Sequence, residues 1–214
     1  MNARDRILGR IRNAQRRAET AMQAEPIANH LAQHPRGPLP PPQDNLIARF
    51  RERAIKLSSD VLEAGDKMEV PTLLALYLSE RKLVMSGVCW PSLAGLPWDA
   101  AGLEMQSRPA RDSDWVGVTA AFCAIAETGT LMMLSGPETP ATTSLLPETH
   151  VAVVDPRRIV ATMEDAWDML RKEIGQPPRA VNFISGPSRT ADIEQTVTLG
   201  AHGPYRVLLI LAQL

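Results

Sequence analysis

The residues best suited to chemistry concentrate in two short segments of the chain, 127–130 and 185–190. The first has a carboxylate and two hydroxyls around a glycine, and the second has two serines, an arginine and a threonine around a Gly-Pro turn. Hydroxyls and arginines donate hydrogen bonds to anions, and glycines let the backbone approach a ligand closely. We therefore predict a pocket for a small organic anion. The predicted ligand-binding residues are Thr128, Gly129, Thr130, Gly186, Ser188, Arg189, Thr190 and His202, and Glu127 is the candidate catalytic residue.

The ionisable candidates also have structural interpretations. Arg189 could bond backbone carbonyls or pair with Glu194 rather than bind a ligand. His202 lies in a Gly-rich stretch, where it could cap the end of a helix. Glu127 would cost on the order of several kcal/mol to bury unless it is paired or protonated, so it is the most suggestive of the carboxylates. His150, just before a predicted strand, is interpreted as structural.

The second segment predicts a strand, a tight loop and a helix. Residues 181–184 are an apolar, partly β-branched run typical of a buried strand. Ser188 or Thr190 is a candidate N-cap for a helix with acidic residues in its first turn. Such a helix would direct free N–H groups at the mouth of the loop and create an anion site. We expect residues 200–204 to end this helix and residues 205–211 to form the last strand.

The composition is that of a protein with one substantial core and little affinity for nucleic acid. The 214 residues are 44% apolar and the net charge is −1. The charge is uneven, because residues 1–56 hold eleven basic and five acidic side chains and the remainder holds twelve and nineteen. A basic arm on an acidic body indicates that the arm contacts the body or a partner.

The two cysteines, Cys89 and Cys123, are far apart and lack metal-binding spacing, which predicts buried, reduced thiols. An iron–sulfur cluster usually needs about four thiolates, so we expect no cofactor bound by this chain. Dinucleotide-binding, Walker A, GxSxG and HExxH motifs are absent from the sequence. No apolar run approaches the ~18–20 residues that span a membrane, and the N-terminus lacks a signal-peptide pattern. We expect a cytoplasmic protein.

Two domains are predicted, 1–42 and 43–214. Residues 2–22 repeat apolar side chains at helical spacing among arginines, and 35–42 (PRGPLPPP) favour a stiff polyproline-like linker. The arm could pack on its own domain or on a second copy, forming a homodimer, or dock on a different subunit. Nucleic-acid contact is the weakest alternative, because no aromatic residues are interleaved for base stacking.

Helices alternate with apolar strands in the body, which predicts an α/β domain with a mostly parallel, buried sheet. The predicted helices are 44–62, 72–80 and 159–174, and the predicted strands are 82–86, 103–108, the ends of 115–126, 131–134, 151–154, 181–184 and 205–211. Ligands of such sheets gather at the carboxyl ends of the strands. We therefore expect the loops 127–130, 136–144 and 185–190 to meet there.

Two blocks of sequence resemble a known family. GPSRTADIE at 186–194, followed by G-x-HGP at 200–204, resembles the C-terminal signature of LUD-domain proteins, specifically the lactate utilisation protein C (LutC/YkgG) group. The supporting block consists of AIAETGTL at 124–131, SLLP at 144–147 and HVAVV at 150–154. The resemblance implies a three-layer, Rossmann-like sandwich of the NagB/RpiA/CoA-transferase-like type.

The resemblance also implies a function. LutC-type proteins act beside two iron–sulfur partners, and the set converts L-lactate to pyruvate. This chain would then be a subunit with little activity alone that binds a small carboxylate or a partner.

Two alternatives stay open. Glu127-Thr128-Gly129 is similar to the nucleophilic Glu beside a Gly turn in CoA transferases of this fold, which would make the chain an acyl- or CoA-transfer enzyme. The chain could instead be a non-catalytic ligand sensor or scaffold.

Overall fold

The computed structural model describes residues 3–14, 24–39, 41, 44–190 and 198–214. The chain divides into two compact units, Met1–Leu39 and Pro40–Leu214. In the first unit, helix α1 spans Ala3–Ala14 and helix α2 spans Ala24–Gln33. The helix predicted over 2–22 is thus present over 3–14, whereas residues 15–22 lie outside the described part. Within the described residues no helix is both long and apolar enough to cross a membrane.

The second unit is built around a six-stranded, entirely parallel sheet in the order β1-β12-β7-β4-β2-β3. Its strands are β1 (Asp60–Glu63), β2 (Ser86–Cys89), β3 (Glu104–Ser107), β4 (Val116–Ala120), β7 (Thr149–Val154) and β12 (Arg206–Leu211). The central strands β7 and β12 are almost entirely buried, as continuous apolar runs in parallel sheets are. The predicted α/β class with a mostly parallel sheet is confirmed.

A second sheet of four strands has the order β8-β5-β6-β9. Its strands are β5 (Cys123–Ile125), β6 (Thr130–Leu134), β8 (Ile159–Val160) and β9 (Val181–Ile184). Strands β5 and β6 form an antiparallel hairpin, and β6 also pairs antiparallel with β9.

Side chains that alternate along β7 and β12 divide between two apolar clusters. One face packs against helix α4 (Val70–Glu80) through Val151, Val153, Leu208 and Ile210. The other face packs against helix α3 (Leu46–Lys56) and the second sheet through Ala152, Val154, Leu209 and Leu211. The far side of the second sheet is covered by helix α6 (Met163–Ile174). The second sheet therefore adds a layer to the three that the resemblance implied.

Helix α3 begins as predicted but ends earlier. The Asn45 side chain caps its N-terminus by accepting a hydrogen bond from the backbone N–H of Ala48 at 2.9 Å. The helix ends at Lys56, and Ser58 then adopts a left-handed conformation with φ 68°. The prediction of a helix to residue 62 is wrong, because the chain leaves the helix here and enters β1.

Two other elements begin later than predicted, and one short helix was not predicted. The strand predicted at 82–86 lies at Ser86–Cys89, after Lys82 turns the chain with φ 54°. The helix predicted from 159 begins at Met163, because Thr162 and Asp165 form a reciprocal capping box. Short helix α5 spans Thr142–Leu145.

The helix predicted after the 185–190 loop does not begin directly after Ser188. Arg189 and Thr190 form a short strand, β10, which pairs antiparallel with β11 (Thr198–Leu199). Ser188 is therefore not a helix N-cap, whereas the alternative cap, Thr190, stays a prediction because the residues that follow it lie outside the described part of the chain. The prediction that this helix extends to residues 200–204 is wrong, because Thr198 and Leu199 form strand β11. The part of the prediction on residues 191–197 lies outside the described part of the chain.

Two glycines set the position of the second sheet against the end of α3. A Cβ added to Gly129 would lie 2.6 Å from Ala54 N, and one added to Gly186 would lie 2.2 Å from Leu57 O. Both glycines also have positive φ, 71° and 76°. The turns that carry them can approach the helix backbone this closely only without a side chain.

His150 on β7 is fully buried, and its Nε2 lies 2.8 Å from Thr119 Oγ1 on β4. Its Nδ1 has no hydrogen-bond partner among the described residues. Burial lowers the pKa of His150 to about 4, so the imidazole is neutral at physiological pH. This burial supports the structural interpretation made from the sequence.

Acidification should destabilise the fold through His150. The folded protein binds the imidazole proton less readily than the unfolded chain, whose histidine pKa is 6.5. The free energy of unfolding should therefore be unaffected by this group above pH 6.5 and fall as the pH drops toward 4, by up to about 3 kcal/mol. Urea unfolding of the wild type and of His150→Asn across this pH range measures the effect. The prediction is contradicted if the free energy of unfolding of the wild type falls no more steeply with decreasing pH than that of the variant.

Gly129→Ala and Gly186→Ala should each destabilise the fold by more than about 2 kcal/mol, because they add backbone strain and a clash with α3. Gly102→Ala is the matched control. Gly102 also has positive φ (74°), but its added Cβ would meet nothing within 4 Å. Urea unfolding midpoints compare the three variants. If Gly129→Ala and Gly186→Ala lose no more stability than Gly102→Ala, the close approach to α3 does not constrain the fold.

Candidate functional site

Hydroxyl groups join the two segments predicted to form the site. Thr128 Oγ1 donates a hydrogen bond to Thr130 Oγ1 at 2.8 Å, and Thr130 Oγ1 lies 2.7 Å from Ser185 Oγ. The contact arises because β9 runs antiparallel to β6 with Leu131 opposite Ile184, which places the end of one strand beside the start of the other. Thr130 is buried, whereas Thr128 and Ser185 are exposed. These three hydroxyls, called the hydroxyl run below, therefore connect the buried Thr130 to the protein surface.

The backbone of Glu127 is held in place by a hydrogen bond, and its carboxylate remains available to a ligand. Its N–H donates to Ala161 O at 3.0 Å, which extends the pairing of β5 with β8. The side chain is half-buried. Among the described residues its carboxylate has neither a hydrogen bond nor an ion pair. It lies two residues from Gly129 in the same turn, so a ligand at the hydroxyl run would be close to an acceptor.

Arg189 contacts the chain that leaves α3. Its Nη2 donates to Leu57 O at 2.9 Å and to Ser58 Oγ at 2.6 Å. The side chain is exposed. These bonds satisfy a carbonyl at the end of the helix, one of the two structural interpretations for this residue. The other partner considered, Glu194, lies outside the described residues, and ligand binding by Arg189 stays a prediction.

The segment 200–204 packs on Ser188. Ser188 N donates to Pro204 O and Gly200 N donates to Ser188 O, both at 2.9 Å. His202 is exposed within this segment. The G-x-HGP motif is therefore held next to the 185–190 loop, with the histidine directed to solvent rather than enclosed.

The loop 136–144 starts away from the other two and ends near Gly203. It follows the opposite end of β6, where Pro140 O accepts a hydrogen bond from Trp90 Nε1 at 3.2 Å. Ser144 is buried, and its Oγ donates to Ala141 O at 2.9 Å. Leu145, directly after this loop, has its carbonyl oxygen near Gly203, which also packs on Ser188. The expectation that all three loops meet stays a prediction.

The expected position at the carboxyl ends of the main sheet is wrong. Gly186 and Arg189 contact Leu57 and Ser58, just before β1 begins at Asp60. Ser188 contacts Pro204, just before β12 begins at Arg206. The 185–190 loop thus lies at the amino ends of these parallel strands.

Sequence reasoning missed Ser185 and Ser58. Ser185 was interpreted only as part of a turn, and Ser58 as part of a helix. The signal for Ser185 was its position directly after a predicted strand that ends beside the Thr128–Thr130 turn. The left-handed conformation of Ser58 has no signal in its residue type, since glycine is the usual choice there.

No group of three or more His, Cys, Asp or Glu residues in the described part of the chain is arranged to hold a metal ion. Cys89 and Cys123 are buried and unpaired. Burial raises the pKa of Cys89 to about 11 and that of Cys123 to about 12, so both stay thiols at neutral pH.

The sequence matches the LUD domain over residues 98–212. A Lactate utilization protein C from Exiguobacterium sp. is 37% identical over 181 residues, which cover 79% of this chain and 78% of the relative. A Lactate utilization protein C from Bacillus subtilis is 38% identical over 128 residues, covering 57% and 52% respectively. The chain thus spans about half the length of the Bacillus relative.

The fold is shared with a solved structure. A DUF162 family protein from Deinococcus radiodurans superposes with a TM-score of 0.59, covering 81% of this chain and 99% of the other at 23% identity. The identity of the Exiguobacterium relative extends over most of both chains, and the domain match covers both predicted site segments. The chain belongs to the LUD-domain family, as the resemblance of its motifs predicted.

Proposed function

We propose that this protein is a subunit of an L-lactate utilisation system and binds a small carboxylate where the 127–130 turn meets the 185–190 loop. The single observation that supports a site here is the hydrogen bond between Thr130 and Ser185, which joins the two segments. The choice of lactate is supported by the relatives named Lactate utilization protein C.

The groups at this junction suit a 2-hydroxy or 2-oxo acid. The hydroxyls of Thr128, Thr130 and Ser185 can donate to a carboxylate or to a 2-oxo group. The Glu127 carboxylate can accept a hydrogen bond from a 2-hydroxyl group. Such a set holds and orients a small acid.

The electrons of the reaction have to leave through other proteins in this proposal. Conversion of L-lactate to pyruvate releases two electrons and two protons, and the two cysteines of this chain are too few to hold an iron–sulfur cluster alone. Iron–sulfur partner subunits would accept the electrons. The first 56 residues hold eleven basic against five acidic side chains, a charge that favours docking on an acidic partner.

The complex should be recoverable from cells grown on lactate. Tagged protein purified under low oxygen should bring down iron-containing partners with lactate-dependent dye reduction, and the isolated chain should show little activity. Within that complex, Ser185→Ala and Thr128→Val should each reduce activity at limiting lactate several-fold, about the value of one or two hydrogen bonds. Ser92→Ala, an exposed serine in a turn outside the two segments, is the control.

Three results would count against this proposal. Lactate oxidation by the isolated chain would remove the need for partners. Ligand binding without turnover in the presence of partners would favour a sensor. If Ser185→Ala, Thr128→Val and Ser92→Ala are equally active, the hydroxyl run does not contribute to lactate binding.

A second candidate function, acyl or CoA transfer, is favoured by one observation. The Glu127 carboxylate has no side-chain or backbone partner within the described part of the chain and lies beside the tight Gly129 turn. A carboxylate nucleophile needs that freedom to attack an acyl-CoA carbonyl, releasing the CoA thiolate and leaving a mixed anhydride on the glutamate. Attack by the thiolate would then release the acid and leave a glutamyl thioester.

Trapping tests this second function. Wild-type protein incubated with short acyl-CoAs should then yield a hydroxamate with hydroxylamine, or an alcohol with borohydride, at Glu127, detected by peptide mass spectrometry. Glu127→Gln is the matched control and should yield neither adduct. No adduct across acetyl-, propionyl- and succinyl-CoA would eliminate the transferase function.

A further inference from the structure

Helix α3 presents two arginines beside the candidate site. Arg49 and Arg53 are four residues apart, which places them on the same face of the helix. Both side chains are half-buried. The Nε of each is shielded from solvent and has no hydrogen-bond partner among the described residues. Buried guanidinium nitrogens need acceptors, because an unmade hydrogen bond to a charged donor costs about 1–3 kcal/mol or more.

Other half-buried arginines of the same unit are paired. Arg108 bonds Asp114 at 2.6 Å, Arg158 bonds Glu173 at 2.7 Å and Arg206 bonds Glu148 at 3.1 Å. Arg49 has only a 3.5 Å contact with the exposed Glu52, which Lys56 also engages. Arg53 has neither an ion pair nor a hydrogen bond from its guanidinium within the described part of the chain. It is therefore a charged donor without an acceptor.

The position of Arg53 connects it to the hydroxyl run. A Cβ on Gly129 would lie 2.8 Å from Arg53 Cβ, so the Arg53 side chain leaves the helix directly beside the turn that carries Thr128 and Thr130. One helical turn after Arg53, Leu57 O and Ser58 Oγ accept hydrogen bonds from Arg189 Nη2.

The helix dipole does not account for these arginines. A cation in the last turn of a helix is stabilised by the C-terminal carbonyls, and Lys56 and Arg53 both occupy that turn of α3. That interaction is available to exposed side chains such as Lys56. It gives no reason for burying an Nε without a partner, whereas an anionic ligand would add acceptors for the guanidinium nitrogens that remain accessible.

We propose that Arg53, assisted by Arg49, is the charged anchor for the carboxylate of a 2-hydroxy or 2-oxo acid bound at the Thr128–Thr130–Ser185 hydroxyl run. This inference rests on the proposed function and adds the residue that determines the charge of its ligand. A guanidinium fork matches a carboxylate in two parallel hydrogen bonds. The neighbouring hydroxyls then contact the group on the second carbon. Phosphate shares the charge but not the planar two-oxygen geometry.

Binding to the full chain tests the assignment. Isothermal titration calorimetry with pyruvate, with L-lactate and with inorganic phosphate should show carboxylate binding that Arg53→Gln weakens about 10- to 100-fold, the effect of losing a charged hydrogen-bond donor. Arg49→Gln should have a smaller effect, since Arg49 already contacts Glu52. Arg51→Gln is the matched control, because Arg51 is on the same helix, is exposed and lies 3.8 Å from Glu63. Thermal unfolding of each variant verifies that it is folded.

A second readout uses the wild-type protein. Phenylglyoxal modifies accessible guanidinium groups, and peptide mass spectrometry reports the rate at each arginine. Saturating pyruvate should slow modification of Arg53 several-fold and leave Arg51 unchanged. Equal rates at Arg53 with and without pyruvate would overturn the assignment even if Arg53→Gln does not fold.

The remaining outcomes separate this inference from the function on which it rests. If Ser185→Ala weakens pyruvate binding and Arg53→Gln does not, the site stands and the role of Arg53 is wrong. If Arg53→Gln affects only phosphate binding, the carboxylate class is wrong. If wild-type protein binds neither acid at millimolar concentration, both the inference and the proposed carboxylate site fail.

Discussion

The structure depends on the contact between the last turn of α3 and two glycine turns of the second sheet. Gly129 and Gly186 approach the helix backbone at Ala54 and Leu57 so closely that no Cβ fits between them. The contact fixes β6 and β9 relative to the helix. It thereby brings the hydroxyls of Thr130 and Ser185 together. The glycines of both motifs are thus required by packing, independently of any ligand.

The sequence predicted the buried strands well and the junctions between elements poorly. The strand at 205–211 is an apolar run buried on both faces, which leaves few other structures for it. The strand at 181–184 is also present, but its side chains are half-buried or exposed rather than buried. Strand β1 was missed because Val61 and Leu62 continue the apolar period of α3, and only the left-handed turn at Ser58 separates the two elements. Arg189 donates a hydrogen bond to Ser58, and Gly186 packs on the preceding Leu57; no local sequence pattern encodes either contact.

The candidate site was predicted by residue type and misplaced by topology. Thr128, Gly129 and Thr130 do meet the 185–190 loop. The rule that ligands gather at the carboxyl ends of parallel strands placed them at the wrong end of the main sheet. The segments belong to a second sheet whose antiparallel strand β9 ends where β6 begins. Arg53 escaped notice because an arginine on an amphipathic helix is ordinarily part of its solvated face. Only its partial burial and missing partner distinguish it from Arg51.

The proposed anchor also determines how a bound acid would be oriented. Glu127 and Arg53 carry opposite charges near the same turn, and the neutral hydroxyls of Thr128, Thr130 and Ser185 are close by. A carboxylate beside Glu127 would be repelled, whereas beside Arg53 it gains a charged donor. The second carbon of the acid, with its hydroxyl or oxo group, would then face the hydroxyl run and Glu127. In the reversed orientation, the carboxylate of the acid would face the carboxylate of Glu127. The cation on α3 therefore defines the orientation in which Glu127 could accept a hydrogen bond from the group that is oxidised.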